Sequence, residues 1–218
     1  MNGKHGCGRE RPSAELLNVT LANKITTGRL AVAVVLFVLL DLLGREPLPG
    51  WPMAAACCAL FILVTATDAL DGYYARKLGQ VSDFGRIADP AADKVVICGS
   101  FVFLSATPWG RDLVPPWIVV AVLCREFIVT ALRGYVERKG HAFGADPAGK
   151  LKMVIQCMAV PAVLGVRILD DGFDGRQAAA VAVMRWVAIV LVWATLLITV
   201  WSGFGYVRKS AIHLREGL

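Results

Sequence analysis

Six mostly apolar stretches, each near the length that crosses a bilayer, recur along the chain: residues 27–43, 51–70, 90–106, 115–136, 151–169 and 178–204. A membrane helix needs roughly 20 such residues, because the hydrocarbon is about 30 Å thick and a helix rises only about 1.5 Å per residue. A soluble core of this size has no use for six of them. With 56% hydrophobic residues and a mean hydropathy of +0.59, the chain is expected to fold in a bilayer. The expected architecture is all-α, a polytopic membrane protein of six transmembrane helices over residues 27–207. An N-terminal tail and interfacial segment at 1–26 precedes it and a cytoplasmic tail at 208–218 follows.

Short cytoplasmic connections carry the excess of Lys and Arg, so the basic residues orient the bundle. Lys4, Arg9, Arg11, Lys24 and Arg29 lie at the N-terminal side of the first span, and Arg76, Lys77, Arg86 and Lys94 around the second connection. Arg133, Arg138, Lys139, Lys150 and Lys152 surround the fourth connection, and Arg208, Lys209 and Arg215 follow the last span. The opposite side holds only Arg45, Arg111, Arg167, Arg176 and Arg185. Both termini are therefore expected inside, with the chain integral to the cytoplasmic (inner) membrane.

The net charge of +6 comes without an aromatic-interleaved basic patch, which argues against nucleic acid and for anionic membrane lipids as partners. Cys57, Cys58, Cys98, Cys124 and Cys157 fall within apolar runs and form no CxxC pair, so they are read as small membrane residues. The polar start lacks signal-peptide chemistry, and residues 1 to about 14 are expected to be disordered. Residues 14–25 place apolar side chains loosely at helical spacing, as suits a short helix at the inner interface. Asn18-Val19-Thr20 matches a glycosylation acceptor, but its expected cytoplasmic side makes the match fortuitous.

Carboxylates are expensive in or near hydrocarbon, so those found there are functional candidates. The segment DALDGYYARKLGQVSDFGRIADPAADK holds four: Asp68 and Asp71 at the end of the second span, Asp89 and Asp93 at the start of the third. Spacings of three and four place each pair on one helix face, and a short connection lets the two pairs face each other. Such like charges repel by several kcal/mol at low effective dielectric unless protons or cations neutralise them. All-oxygen ligands without nearby His or Cys favour Mg²⁺ or Mn²⁺ over zinc, and hard cations of this kind bridge to substrate phosphates. Phosphoryl transfer is the implied chemistry. Gly72 and Gly85 clear space beside the carboxylates for a diphosphate or nucleotide, Ala75 keeps the same face open, and Arg76 offers a planar cation. A purely structural alternative pairs the acids with Arg76, Arg86 and Lys94 at the membrane surface.

Every fixed position of the pattern D-x2-D-G-x2-A-R-x8-G-x3-D-x3-D is filled, by Asp68, Asp71, Gly72, Ala75, Arg76, Gly85, Asp89 and Asp93. In this the sequence resembles the CDP-alcohol phosphotransferases. The resemblance implies that Asp68, Asp71 and Asp89 ligate metal, with Asp68 also at the CDP moiety, while Asp93 helps hold the second of two ions and acts as general base toward the acceptor hydroxyl. It also implies that Gly72, Ala75, Arg76 and Gly85 border the CDP moiety, that CMP is released without a covalent enzyme intermediate, and that the chain forms a homodimer. No Ser-His or Cys-His pair is placed to supply an activated nucleophile.

Three further segments resemble family members that join CDP-diacylglycerol to glycerol 3-phosphate. NKITTGR matches NxxTxxR, with Asn23, Thr26 and Arg29 at its polar positions, near the diphosphate or headgroup. REFIVTALR matches RExxxxxLR, and GKLKMVIQ matches GKxKTxxQ with Met153 in place of the usual Thr. A phosphorylated acceptor needs cations near the metals, and Arg125, Arg133, Lys150 and Lys152 are the candidates for that pocket. Their structural alternative is a set of positive-inside anchors, with Arg125 neutralised by a carboxylate on another helix. The expected reaction moves a phosphatidyl group from CDP-diacylglycerol to glycerol 3-phosphate in a polar cavity open to the cytoplasm. The rivals are the same chemistry on inositol phosphate, serine or phosphatidylglycerol, a cation transporter built on the acidic cluster, and a catalytically silent membrane scaffold.

Overall fold

The computed structural model describes the backbone of residues 12–45, 50–78, 83–139, 147–172 and 177–216, and the side chains of 27–45, 50–67, 92–136, 138–139, 148–172 and 177–208. Six helices account for nearly all of them: α1 (Pro12–Leu43), α2 (Gly50–Leu78), α3 (Asp83–Ala106), α4 (Pro116–Arg138), α5 (Pro147–Gly172) and α6 (Ala178–Glu216). Each corresponds to one of the six apolar runs, with α4 starting one residue into its run, and the described residues form no strand. Helix α4 opens on Pro116, where the missing N–H costs nothing because the first turn has no partner for it. Helix α1 continues from Pro12 through Leu43, so the expected interfacial stretch at 14–25 and the first apolar run are one element. Of the stretch expected to be disordered, residues 1–11 lie outside the described residues.

Contacts near the helix ends fix the directions. Arg29 of α1 meets Asp93 of α3 at 3.6 Å, and Gly44 beyond α1 abuts Thr107 beyond α3, so these two helices run parallel. Gly50 opens α2 against Asp171 near the end of α5, and Gly165 late in α5 lies against Met184 early in α6, which makes both pairs antiparallel. Helices α4 and α6 run parallel, with Trp117 edge-on to Trp193 and Arg125 bonded to Ser202. The packing pairs close a ring in the order α1, α2, α5, α6, α4, α3, while α3 also touches α5 and α2 across it. One end of the bundle therefore gathers the starts of α1, α3 and α5 with the ends of α2, α4 and α6.

The core runs the length of this ring, with Leu36, Leu40, Phe61, Phe101, Leu104, Ile118 and Leu164 almost fully buried. Phe37 of α1 stacks on Phe103 of α3 at 5.3 Å and lies over Gly99, bringing those helices close. The outer surface is apolar too: Val34, Ile62, Val102, Phe127, Val154 and Leu197, one on each helix, are exposed. Segments of three helices, Gly50–Thr67, Ala148–Gly172 and Ala178–Arg208, are long and apolar enough to cross a membrane.

Between α3 and α4 the chain turns a tight corner. The Thr107 hydroxyl donates to the Leu104 carbonyl at 2.8 Å and accepts from the Gly110 amide at 3.1 Å, while Leu113 and Val114 are buried below. A Cβ at Gly110 would lie 2.3 Å from that same carbonyl oxygen, which belongs to the backbone and has nowhere to go. Gly110→Ala is therefore expected to destabilise the fold by about 1–3 kcal/mol, the usual cost of overpacking. A lower thermal unfolding midpoint in detergent is the check.

Candidate active site

Asp93 lies in the third turn of α3, half-buried, in a recess lined by Val64 and Thr65 of α2, Val96 and Ile97 of α3, and Met153 of α5. Its carboxylate faces the Arg29 guanidinium of α1 at 3.6 Å, and the Arg29 side chain is only 5% exposed. Four helices thus meet at this one carboxylate. The backbone brings the other signature positions to the same end. Asp68 and Asp71 lie ten and seven residues before the last residue of α2, and Asp93 and Asp89 ten and six after the first residue of α3. At about 1.5 Å per residue, both helices carry their acids at matching depths of roughly 15 and 10 Å from the connection. The side chains of Asp68, Asp71, Gly72, Ala75, Arg76, Gly85 and Asp89, and of Asn23 and Thr26, lie outside the described residues.

A second charged group lies on the other side of α3. Glu126 of α4 is 5% exposed and accepts from the neighbouring Arg125 at 3.0 Å and from Lys152 of α5, itself 7% exposed. Arg125 also donates to Ser202 of α6 at 2.8 Å, and its guanidinium stands 5.8 Å from the ring centre of Tyr206. Gly203 leaves room for the Arg125 stem, which comes within 3.0 Å of where a Cβ would be. Lys94 of α3 donates to the Thr130 hydroxyl, which donates in turn to the Glu126 carbonyl at 2.6 Å. The two groups share walls, because Asp93 and Lys94 are neighbours on α3, and Met153 and Lys152 are neighbours on α5.

A profile of the CDP-alcohol phosphatidyltransferase family matches residues 19–201, which span all of these groups except Ser202, Gly203 and Tyr206. The chain belongs to the CDP-alcohol phosphatidyltransferase family. Among its relatives, a CDP-diacylglycerol–glycerol-3-phosphate 3-phosphatidyltransferase of Bacillus subtilis is 33% identical over 198 residues, covering 87% of this chain and 94% of the relative. A protein of Mycobacterium tuberculosis named "Probable phosphatidylglycerophosphate synthase" is 36% identical over 192 residues, covering 87% and 81%. A cardiolipin synthase (CMP-forming) of rice is 28% identical over 219 residues, covering 96% of this chain and 62% of the relative. Family membership and the long apolar helices together make the chain an integral membrane protein.

For a CDP-alcohol phosphatidyltransferase the four expected acceptor cations are unequally placed. Arg125 and Lys152 converge on Glu126, whereas Arg133 and Lys150 are exposed. Helix geometry separates them: Arg133 lies eight residues, about 12 Å, beyond Arg125, and Lys150 is turned by about 200° from Lys152. The carboxylate that neutralises Arg125 is its own neighbour, not one from another helix. Met153, the departure from the GKxKTxxQ pattern, lines the Asp93 recess. Sequence reasoning did not foresee the Arg29–Asp93 contact or the contributions of Ser202 and Thr130. A lone Ser or Thr in an apolar run carries no signal, but an intramembrane Glu beside an Arg does.

Proposed function

We propose that this phosphatidyltransferase joins CDP-diacylglycerol to sn-glycerol 3-phosphate, giving phosphatidylglycerophosphate and CMP. The observation that carries this is that a half-buried carboxylate, Asp93, and a buried cationic group that suits a phosphorylated alcohol are both walled by helices α3 and α5. The relatives named for this reaction support the same acceptor.

The acyl chains stay in the bilayer while the CDP head enters the polar end of the bundle, bordered by Gly72, Ala75, Arg76 and Gly85 on α2 and α3, with Asn23 and Thr26 on α1. Asp93 takes the proton of the acceptor's 1-hydroxyl. That oxygen attacks the β-phosphorus in line, a new P–O bond forms, and the P–O bond to CMP breaks. Arg29 fixes the direction of the Asp93 carboxylate, and Arg125 and Lys152 hold the acceptor's phosphate. The recess contributes an oxygen donor, Asp93, with no His or Cys among its lining residues, which fits a hard cation. Asp68, Asp71, Asp89 and Asp93 would hold Mg²⁺ or Mn²⁺, two ions in all, which polarise the diphosphate and offset the charge that develops during transfer.

All six helices cross the membrane in this reading, with the site on the cytoplasmic side. At 24 and 23 residues, α3 and α4 span about 35 Å, enough for the hydrocarbon, and both expose large apolar side chains outward. The active form is a homodimer, on the family resemblance.

The test is CMP release by the purified chain from CDP-diacylglycerol with a panel of acceptors. Glycerol 3-phosphate is expected to be used alone among glycerol 3-phosphate, inositol phosphate, serine and phosphatidylglycerol. Exclusive use of another of these alcohols would overturn this acceptor.

A further inference from the structure

Two buried cations on one buried carboxylate do not balance. Arg125 and Lys152 both bind Glu126, and Lys94 of α3 donates to Thr130, whose hydroxyl donates to the Glu126 carbonyl. Among the described residues, two buried cations face one buried acid, with the partly exposed Lys94 beside them, which leaves net positive charge in a place where uncompensated charge is costly. A phosphate monoester carries about −1.5 to −2 at neutral pH, which is the missing complement.

The donors are unbalanced in the same way. Of the five N–H donors of a guanidinium, Arg125 uses Nη1 on Glu126 and Nη2 on Ser202, while its Nε is buried with no partner. Lys152 has three protons and directs one at Glu126. Gln156, one turn along the same face of α5 and 3% exposed, has its Nε2 buried and unpaired. A purely structural ion pair has no reason to leave donors unmet, since each unsatisfied buried group is a cost.

We propose that Glu126 is a positioning residue for the acceptor: its carboxylate holds the Arg125 guanidinium and the Lys152 ammonium together, so that their spare donors meet the acceptor's phosphate as a preassembled pair. Without it the two cations repel and separate. The proposal rests on glycerol 3-phosphate being the acceptor, and it assigns Glu126 no contact with the reacting atoms.

Steady-state kinetics of the purified full chain in detergent micelles, with CMP release as readout, test this. Glycerol 3-phosphate and CDP-diacylglycerol are varied separately at saturating Mg²⁺. Wild-type protein that releases no CMP on adding glycerol 3-phosphate would overturn the acceptor reading, a result separate from anything Glu126→Gln does. With an active wild type, Glu126→Gln is expected to raise the KM for glycerol 3-phosphate at least about tenfold, as loss of one partner in a buried pair does, and to leave the KM for CDP-diacylglycerol within about twofold. Glu126→Asp, which restores the charge, is expected to recover part of the loss. A wild-type glycerol 3-phosphate KM in Glu126→Gln, or equal rises for both substrates, overturns the proposal. If Glu126→Gln does not fold, Glu126→Asp takes its place, and the same selective rise is required of it.

Discussion

Asp93→Asn is expected to reduce glycerol 3-phosphate-dependent CMP release by about 10³-fold, within the range that a positioned general base contributes. Asn matches Asp in size and still fills the recess between Val64, Thr65, Val96, Ile97 and Met153, so the helices should pack as before. What is lost is the proton acceptor and one proposed metal ligand, together with the charge that faces Arg29 at 3.6 Å. With the donor's CDP head bordered, as proposed, by α2 and the first turns of α3, CDP-diacylglycerol binding should survive. The measurement pairs a rate at saturating Mg²⁺ with equilibrium binding of CDP-diacylglycerol. A variant that keeps more than about a tenth of the wild-type rate would remove Asp93 from the base role.

Chelation with EDTA is expected to bring CMP release to background, with full recovery on adding Mg²⁺ or Mn²⁺. Two carboxylates about 4 Å apart repel by roughly 4 kcal/mol at an effective dielectric near 20, so four at one bundle end need cations. The same preparation in liposomes separates the rivals, since a transporter built on the acidic cluster would pass cations without releasing CMP. Undiminished CMP release in EDTA would end the metal-dependent reading.

Much of the fold was legible because membrane helices announce themselves locally. The apolar runs at 51–70, 151–169 and 178–204 became α2, α5 and α6, with their bounds unmoved at Ala178 and moved outward elsewhere by up to twelve residues. The runs could not show how far the polar ends stay helical, since once hydrogen bonding is established a helix extends into any residue that does not break it. That is why α1 begins at Pro12 and α6 runs to Glu216. The signature was equally legible, because residue types at fixed helical spacing encode which face they share.

The sequence by itself determined the six helices, the family and the two helix ends that carry the acids, since each depends on neighbours within a few turns. Only the tertiary structure decided that Arg29 faces Asp93, that Arg125 and Lys152 meet on Glu126 while Arg133 and Lys150 do not, and that Ser202 joins them. Those pairings depend on the order and rotation of helices in the ring, which are set by packing between residues distant in the chain and leave no periodic trace in any one segment.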